Sequence, residues 1–276
     1  MFSLNRLSTI RVINVPELVS IGALRAQIAR LEGHWPAASA EREPRLTFGQ
    51  PDIDEAIPGH GLMVGALHEF IGAGADTEFG AFPAQLIAAL AGRLPGPVLW
   101  IVDRTLPFAA GLAGCGLCPD RIIFAQAGKA VLGVMEDGLR HGGLAAVVGE
   151  VSGRFSLTTS RRLQLAAEGA GVTAFALRRS QIHDDPALRE PSAALTRWRI
   201  VATLSPPPIP SAPEVPGLSR PRWRLELQRA RGGLPRTWLV DAPGHDGQLD
   251  VVAQRSAAAS PQQHQPFHTS RHAQVA

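Results

Sequence analysis

The sequence predicts an α/β fold, a mainly parallel sheet flanked by helices with antiparallel strands added at the C-terminal edge. Three observations predict it. Residues 62–94, LMVGALHEFIGAGADTEFGAFPAQLIAALAGRL, read as strand, glycine-containing turn and apolar helix. Apolar strands then alternate with helical segments at βαβ spacing as far as residue 178. From residue 197 the pattern changes to strands without intervening helices, which suits antiparallel additions to one sheet edge.

Taken in order, PELVSIGALRAQIARLE at 16–32 places Leu18, Ile21, Leu24, Ile28 and Leu31 at spacings of three and four, an amphipathic helix that Pro16 opens and Gly33 closes. The linker HWPAASAEREPR follows. Asp52 is placed to cap a short helix holding Ile53 and Ile57 before Pro58 and Gly59 end it. Met63 to Ile71 is apolar apart from Gly65, His68 and Glu69, as in a strand covered on both faces. In the helix after it, Phe82, Leu86 and Leu90 recur at helical spacing, and Pro83 is tolerable in a first turn. Further strands are expected at 97–103, 121–125, 144–151, 172–178, 197–204, 222–230 and 236–241. Helices are expected near 105–114, 129–141 and 158–170, the last with Thr158, Thr159 and Ser160 available as caps. Residues 179–196 read as a loop and SPPPIPSAPEVPG as a proline-rich excursion. This organises the chain into an N-terminal helix and linker at 1–45, an α/β core with its antiparallel strands at 46–245, and a tail at 246–276. From about residue 252 the tail lacks periodic apolar positions, so it is expected to be disordered.

Composition narrows the function classes. A chain of 276 residues that is 45% hydrophobic can bury a sizeable core. Gly, Pro and charge interrupt every run before the roughly 20 apolar residues of a membrane span. The opening, MFSLNRLSTIRVINVPEL, is too broken for a secretory h-region, so cytoplasmic residence is expected. Cys115 and Cys118 form C-x-x-C without a second ligand pair, which favours a structural reading over zinc or redox chemistry. His264, His268 and His272 have i, i+4 spacing, but Pro266 interrupts it, and no metal is expected there. Charge is uneven: residues 1–153 carry 11 basic and 15 acidic side chains, residues 154–276 carry 16 and 9. All the basic residues of the second part are arginines, suited to bidentate contact with phosphate or carboxylate. Two readings of RWRIVATL and RWRLELQRA stay open. Trp198 and Trp223 with Arg178, Arg179, Arg197, Arg199, Arg222 and Arg224 could contact single-stranded DNA or a partner, by stacking and phosphate contact. Alternatively, the tryptophans pack inward while the arginines face solvent.

A phosphate-binding loop needs G-x-x-x-x-G-K-[ST]: glycines so that backbone N–H groups surround phosphate, lysine for charge, and a hydroxyl for Mg²⁺. With Gly72 as the first glycine, Thr77, Glu78 and Phe79 fall where Gly, Lys and Ser/Thr are required; starting from Gly74 offers Phe79, Gly80 and Ala81. Lys129 is the only lysine in the chain, so no shift of register restores it. Asp76 and Glu78 add negative charge beside any phosphate. The stretch has the skeleton of a nucleotide loop at degraded positions, and no catalytic residue, cofactor or metal is expected.

Leu46 to Gly72 resembles the opening of the RecA-like ATPase core, through Phe48-Gly49, Ile53-Asp54, Ile57, Gly59-His60-Gly61-Leu62, Gly65 and Glu69-Phe70-Ile71-Gly72. Within that superfamily the chain resembles the ImuA family of damage-inducible mutagenesis proteins, over roughly residues 16–245. That family keeps a degraded phosphate loop and ends in strands of the RWRI and RWRLELQRARGG kind. The resemblance implies a RecA-like fold and a non-catalytic accessory or scaffold role in the DNA-damage (SOS) response and error-prone translesion synthesis. Implied partners are an ImuB-type polymerase-like protein, RecA and an alternative replicative polymerase subunit. The ATPase positions carry over poorly: the second strand ends at Asp103, the fourth offers Gly149 and Glu150, and the first DNA loop is cut to SGRFSL while the second is 179–196. The alternatives are a divergent ATPase completed by a partner subunit and a SulA-like cell-division inhibitor.

Overall fold

The computed structural model describes residues 44–255. The amphipathic helix expected at 16–32 and the tail histidines lie outside the described residues. Two short strands, β1 (Arg45–Leu46) and β2 (Leu62–Met63), pair antiparallel around helix α1 (Pro51–Asp54). The central sheet then begins with β3 (Leu67–Gly72), followed by α2 (Asp76–Phe79), α3 (Ala81–Gly92), β4 (Val98–Val102), α4 (Ala109–Ala113) and β5 (Ile122–Gln126). Next come α5 (Val131–Leu139), β6 (Ala146–Ser152), α6 (Leu157–Ala170) and β7 (Thr173–Arg179). The remaining strands are β8 (Thr196–Thr203), β9 (Arg222–Ala230), β10 (Arg236–Asp241) and β11 (Asp250–Arg255).

These strands form one nine-stranded sheet in the order β11-β10-β9-β8-β3-β7-β6-β4-β5. From β8 to β5 every pairing is parallel, and from β8 to β11 every pairing is antiparallel. The fold class expected from the sequence is therefore observed. Alternate residues of the parallel strands β3, β4, β6 and β7 serve two cores, while β8, β9 and β10 contribute to one. Phe70, Trp100, Phe175, Trp198, Trp223 and Trp238 pack with Leu86, Ile87 and Leu90 of α3 on one face. Leu67, Ile101, Val147, Ala174 and Ala176 pack with Met135 of α5 and Leu163 of α6 on the other. Burial on both faces is why the parallel strands read as continuous apolar runs.

Local details differ from the sequence expectations for identifiable reasons. The single strand expected from Met63 to Ile71 is two, because Gly65 turns the chain at φ +75°, where a Cβ would meet the Gly171 backbone at 3.1 Å. Asp52 does not cap α1. The carboxylate of Asp54 instead accepts from the N–H groups of Phe48, Gly49 and Gln50 at 2.7, 3.0 and 3.2 Å. The cap of α6 is Ser156, whose hydroxyl accepts from the Thr159 N–H, not Thr158, Thr159 or Ser160. The expected disordered tail also has to be corrected at its start: Asp250–Arg255 pairs along β10 as β11.

Candidate functional site

The degraded phosphate-loop positions lie between β3 and α3, beyond the carboxyl ends of the parallel strands, where α/β sheets hold ligands. Here the turn closes on itself. The N–H of Asp76 donates to the Ser180 carbonyl at 2.7 Å, those of Glu78 and Phe79 to the Ala75 carbonyl at 3.0 Å, and that of Gly80 to the Asp76 carbonyl at 3.0 Å. A phosphate loop leaves such groups aimed at an anion; these four are engaged within the protein. Gly72 and Gly74 make room for side chains rather than phosphate. A Cβ on Gly72 would lie 3.0 Å from the Phe79 Cβ and carbonyl oxygen, and one on Gly74 would lie 2.7 Å from Nδ1 of His183. Thr77 and Glu78 are exposed on the outside of α2.

Charge beneath the turn is also committed. Arg179, at the end of β7, donates through Nη1 to the Gly80 carbonyl at 2.6 Å and through Nε to Glu150 at 3.0 Å. The other Glu150 oxygen accepts from the Trp100 indole N–H at 2.9 Å. Glu150, the carboxylate nearest to a metal-supporting position, therefore has both oxygens occupied by protein donors. Asp103 lies 4.0 Å from Arg104, both of them solvent-accessible. Burial pushes the Asp76 carboxyl up, against the opposing pull of Arg179. Among the described residues, no three His, Cys, Asp or Glu side chains converge on a metal-sized site. Cys115 is buried, which pushes its thiol up, while Cys118 is exposed; neither is bonded to the other.

The arginine and tryptophan residues separate by face. Trp198 and Trp223, expected as stacking contacts, are 0% exposed, as is Trp238. The alternation of β8, β9 and β10 turns all three toward α1 and α3, so base stacking on them is excluded and the inward-packing alternative is correct for these tryptophans. Arg178 must also be withdrawn as a surface contact. It is buried, donating to Glu69 Oε1 at 2.8 Å and to the Gly153 and Ala187 carbonyls, with its guanidinium 5.1 Å from the Phe155 ring centroid. Arg197 Nε donates to Glu69 Oε2 at 2.9 Å, and the Ser192 hydroxyl donates to the same oxygen at 2.7 Å. Glu69 thus ties β7, β8 and the 180–195 loop to the central strand. Sequence reasoning passed over it; the signal was a lone carboxylate in a strand otherwise nearly free of charge.

Arg199, Arg222 and Arg224 point outward from β8 and β9, but each has an acidic partner. Arg199 and Arg224 flank Glu226 at 3.1 and 2.8 Å, and Arg222 pairs with Asp241 at 2.7 Å. Where the end of β3 meets the 180–195 loop, a cavity of about 370 Å³ is lined by Gly72, His183, Asp184, Arg189, Arg197 and Arg199 among others. Its lining carries both signs of charge, which suits a polar contact better than a dedicated anion site.

No protein-family model matches the chain. Curated relatives do: Protein ImuA from two strains of Caulobacter vibrioides is 42% identical over 209 residues, covering 72% of this chain and 84% of each relative. The chain belongs to the ImuA family. This agrees with the family resemblance read over roughly residues 16–245. Among solved structures, the crystal structure of the RadB recombinase matches with a TM-score of 0.49 and 14% sequence identity, over 73% of this chain and 97% of that one. No helix among the described residues is long and apolar enough to cross a membrane.

Proposed function

We propose that this ImuA-family protein is a non-catalytic, RecA-like accessory of damage-induced, error-prone translesion synthesis, which works by presenting surfaces to other proteins. One observation carries the reading: the amides of Glu78, Phe79 and Gly80 are bonded to carbonyls within the turn and that of Asp76 to Ser180, while Arg179 is committed to the Gly80 carbonyl and to Glu150. Phosphoryl transfer rests almost wholly on positioning and electrostatic stabilisation, and the local charges, Asp76 and Glu78, have the wrong sign. Family membership supports the setting, a cytoplasmic complex with an ImuB-type polymerase-like protein, RecA and an alternative replicative polymerase subunit. Single-stranded DNA is at most a weak ligand on this reading, because Arg199, Arg222 and Arg224 are already paired.

Titration calorimetry with ATP and Mg²⁺ on the full chain tests the proposal. No saturable heat is expected. Micromolar affinity accompanied by turnover would overturn it, and turnover that appears only on oligomerisation would favour the ATPase completed by a partner subunit.

A further inference from the structure

Between β8 and β9 the chain leaves the sheet for residues 204–221, LSPPPIPSAPEVPGLSRP, and returns to the antiparallel ladder at Arg222. Two series run through this excursion with a period of three: Pro207, Pro210, Pro213 and Pro216, and Ile209, Ala212, Val215 and Leu218. The structure turns that repeat into tandem turns. The Ala212 N–H donates to the Ile209 carbonyl at 3.0 Å and the Val215 N–H to the Ala212 carbonyl at 3.1 Å. Pro210 and Pro213 each take the second position of a turn, where a fixed φ suits the backbone.

The neck of the loop is fastened. The Ser219 hydroxyl donates to the Pro206 carbonyl at 2.8 Å, and Thr203 Oγ1 donates to the Arg222 carbonyl at 3.1 Å. Arg220 donates to the carbonyls of Ala242 and Gln248 and to Asp250, joining the loop base to the start of β11. The apolar side chains, by contrast, are uncovered: Leu204 is 94% and Leu218 100% exposed at the base of the loop, and Ile209 44% and Val215 39% farther out. A rigid segment that keeps apolar groups in water has already lost the freedom it would lose on binding.

We propose that this loop is a docking element received by a different protein in a groove lined with aromatic side chains. Proline-rich segments with PxxP spacing are what such grooves recognise, and Pro207, Pro210, Pro213 and Pro216 keep that spacing on a backbone ordered here by turns. Charge excludes a polyanionic occupant, because Glu214 is the only charged residue from 204 to 219. A second copy of the chain is a poor receiver: it has no tyrosine, and among the described residues Trp100, Trp198, Trp223 and Trp238 are inaccessible and Phe108, at 79%, is a single exposed ring rather than an aromatic groove. The proposal goes beyond the scaffold reading and does not depend on the state of the phosphate loop.

The test places a photo-crosslinking benzoylphenylalanine at Leu218 of the full-length protein in damaged cells and identifies the adduct by peptide mapping. The receiving protein is then purified and titrated with full-length wild type, with Pro210→Ala/Pro213→Ala, and with Ile209→Ser/Leu218→Ser. The expected result is an adduct within a Trp-, Tyr- or Phe-bearing groove of another protein, with affinity at least tenfold weaker for both variants and an unchanged thermal midpoint. Absence of an adduct, an adduct to DNA or to a second copy, or equal affinity for all three proteins would overturn the proposal. ATP calorimetry on the same variants reports on the scaffold reading separately.

Discussion

Replacing Glu69 with glutamine tests whether the centre of the sheet is held by charge. The native carboxylate accepts from Arg178, Ser192 and Arg197, and neither the Glu69 nor the Arg178 side chain has any exposed surface. Glutamine keeps the shape but offers one acceptor oxygen and turns an NH₂ group toward donors, leaving a buried guanidinium without its counter-charge. Removing one partner of a buried pair costs about 3 to 5 kcal/mol. The low end, about 3 kcal/mol, applies here, because Arg178 keeps the Gly153 and Ala187 carbonyls and Arg197 keeps that of Glu190. Urea unfolding followed by tryptophan fluorescence suits the measurement, since all four tryptophans among the described residues are fully buried. With a slope of about 3 kcal/mol per molar, the midpoint should fall by about 1 M. Limited proteolysis should also open the 180–195 loop, which supplies Ser192 and the Ala187 and Glu190 carbonyls. Glu69→Leu/Arg178→Met removes the two fully buried charges together and leaves Arg197, which keeps the Glu190 carbonyl, so it should recover part of the loss. A glutamine variant whose midpoint matches wild type, or a double variant worse than either single change, would refute the argument.

Three further outcomes follow from the same physical reasoning. His68, fully buried between Thr196 Oγ1 and the Met63 carbonyl, has its pKa pushed down by desolvation to about 4. The unfolded chain therefore binds one more proton between pH 6.5 and about 4, so this histidine lowers stability by about 1.4 kcal/mol for each pH unit of acidification in that window. His68→Gln should flatten the slope of denaturation midpoint against pH, and an unaltered slope would contradict the assignment. Asp54→Ala, which removes the acceptor for the amides of Phe48, Gly49 and Gln50, should cost about 1 to 3 kcal/mol by chemical denaturation. Rewriting the turn as a phosphate loop with Thr77→Gly, Glu78→Lys and Phe79→Thr should give no ATP binding by calorimetry, because the amides of Asp76, Glu78 and Gly80 keep their present partners; restored nucleotide affinity would show that side-chain identity alone closes the site.

The parallel core was legible because burial on both faces leaves apolar runs such as VLWIV and TAFALR. The edge was legible in RWRLELQRA, where alternation distinguishes Trp223, Leu225 and Leu227 from Arg222, Arg224 and Glu226. β11 was missed because DVVAQR carries little apolar periodicity and is fixed by its pairing with β10. The four residues of α2 were missed because so short a helix leaves no repeat to detect. At the candidate site, the absent lysine and hydroxyl were readable, but the engagement of the Asp76 amide was not, since it depends on Ser180 lying beside Asp76 across more than a hundred residues of chain. Glu69 could be seen in the sequence as an oddity. Its arginine partners, 109 and 128 residues downstream, could not be paired with it by spacing.

The self-closed turn at 72–80 has a consequence for timing. Nucleotide-driven machines release their partners when a phosphate leaves, so hydrolysis acts as their clock. On the scaffold reading this chain has none. How long it stays in a complex is then set by the dissociation rate of each contact, and its presence in the cell by synthesis and degradation. Such a component is controlled by dose rather than by cycle, and a small change in the affinity of one contact alters how long the whole assembly persists.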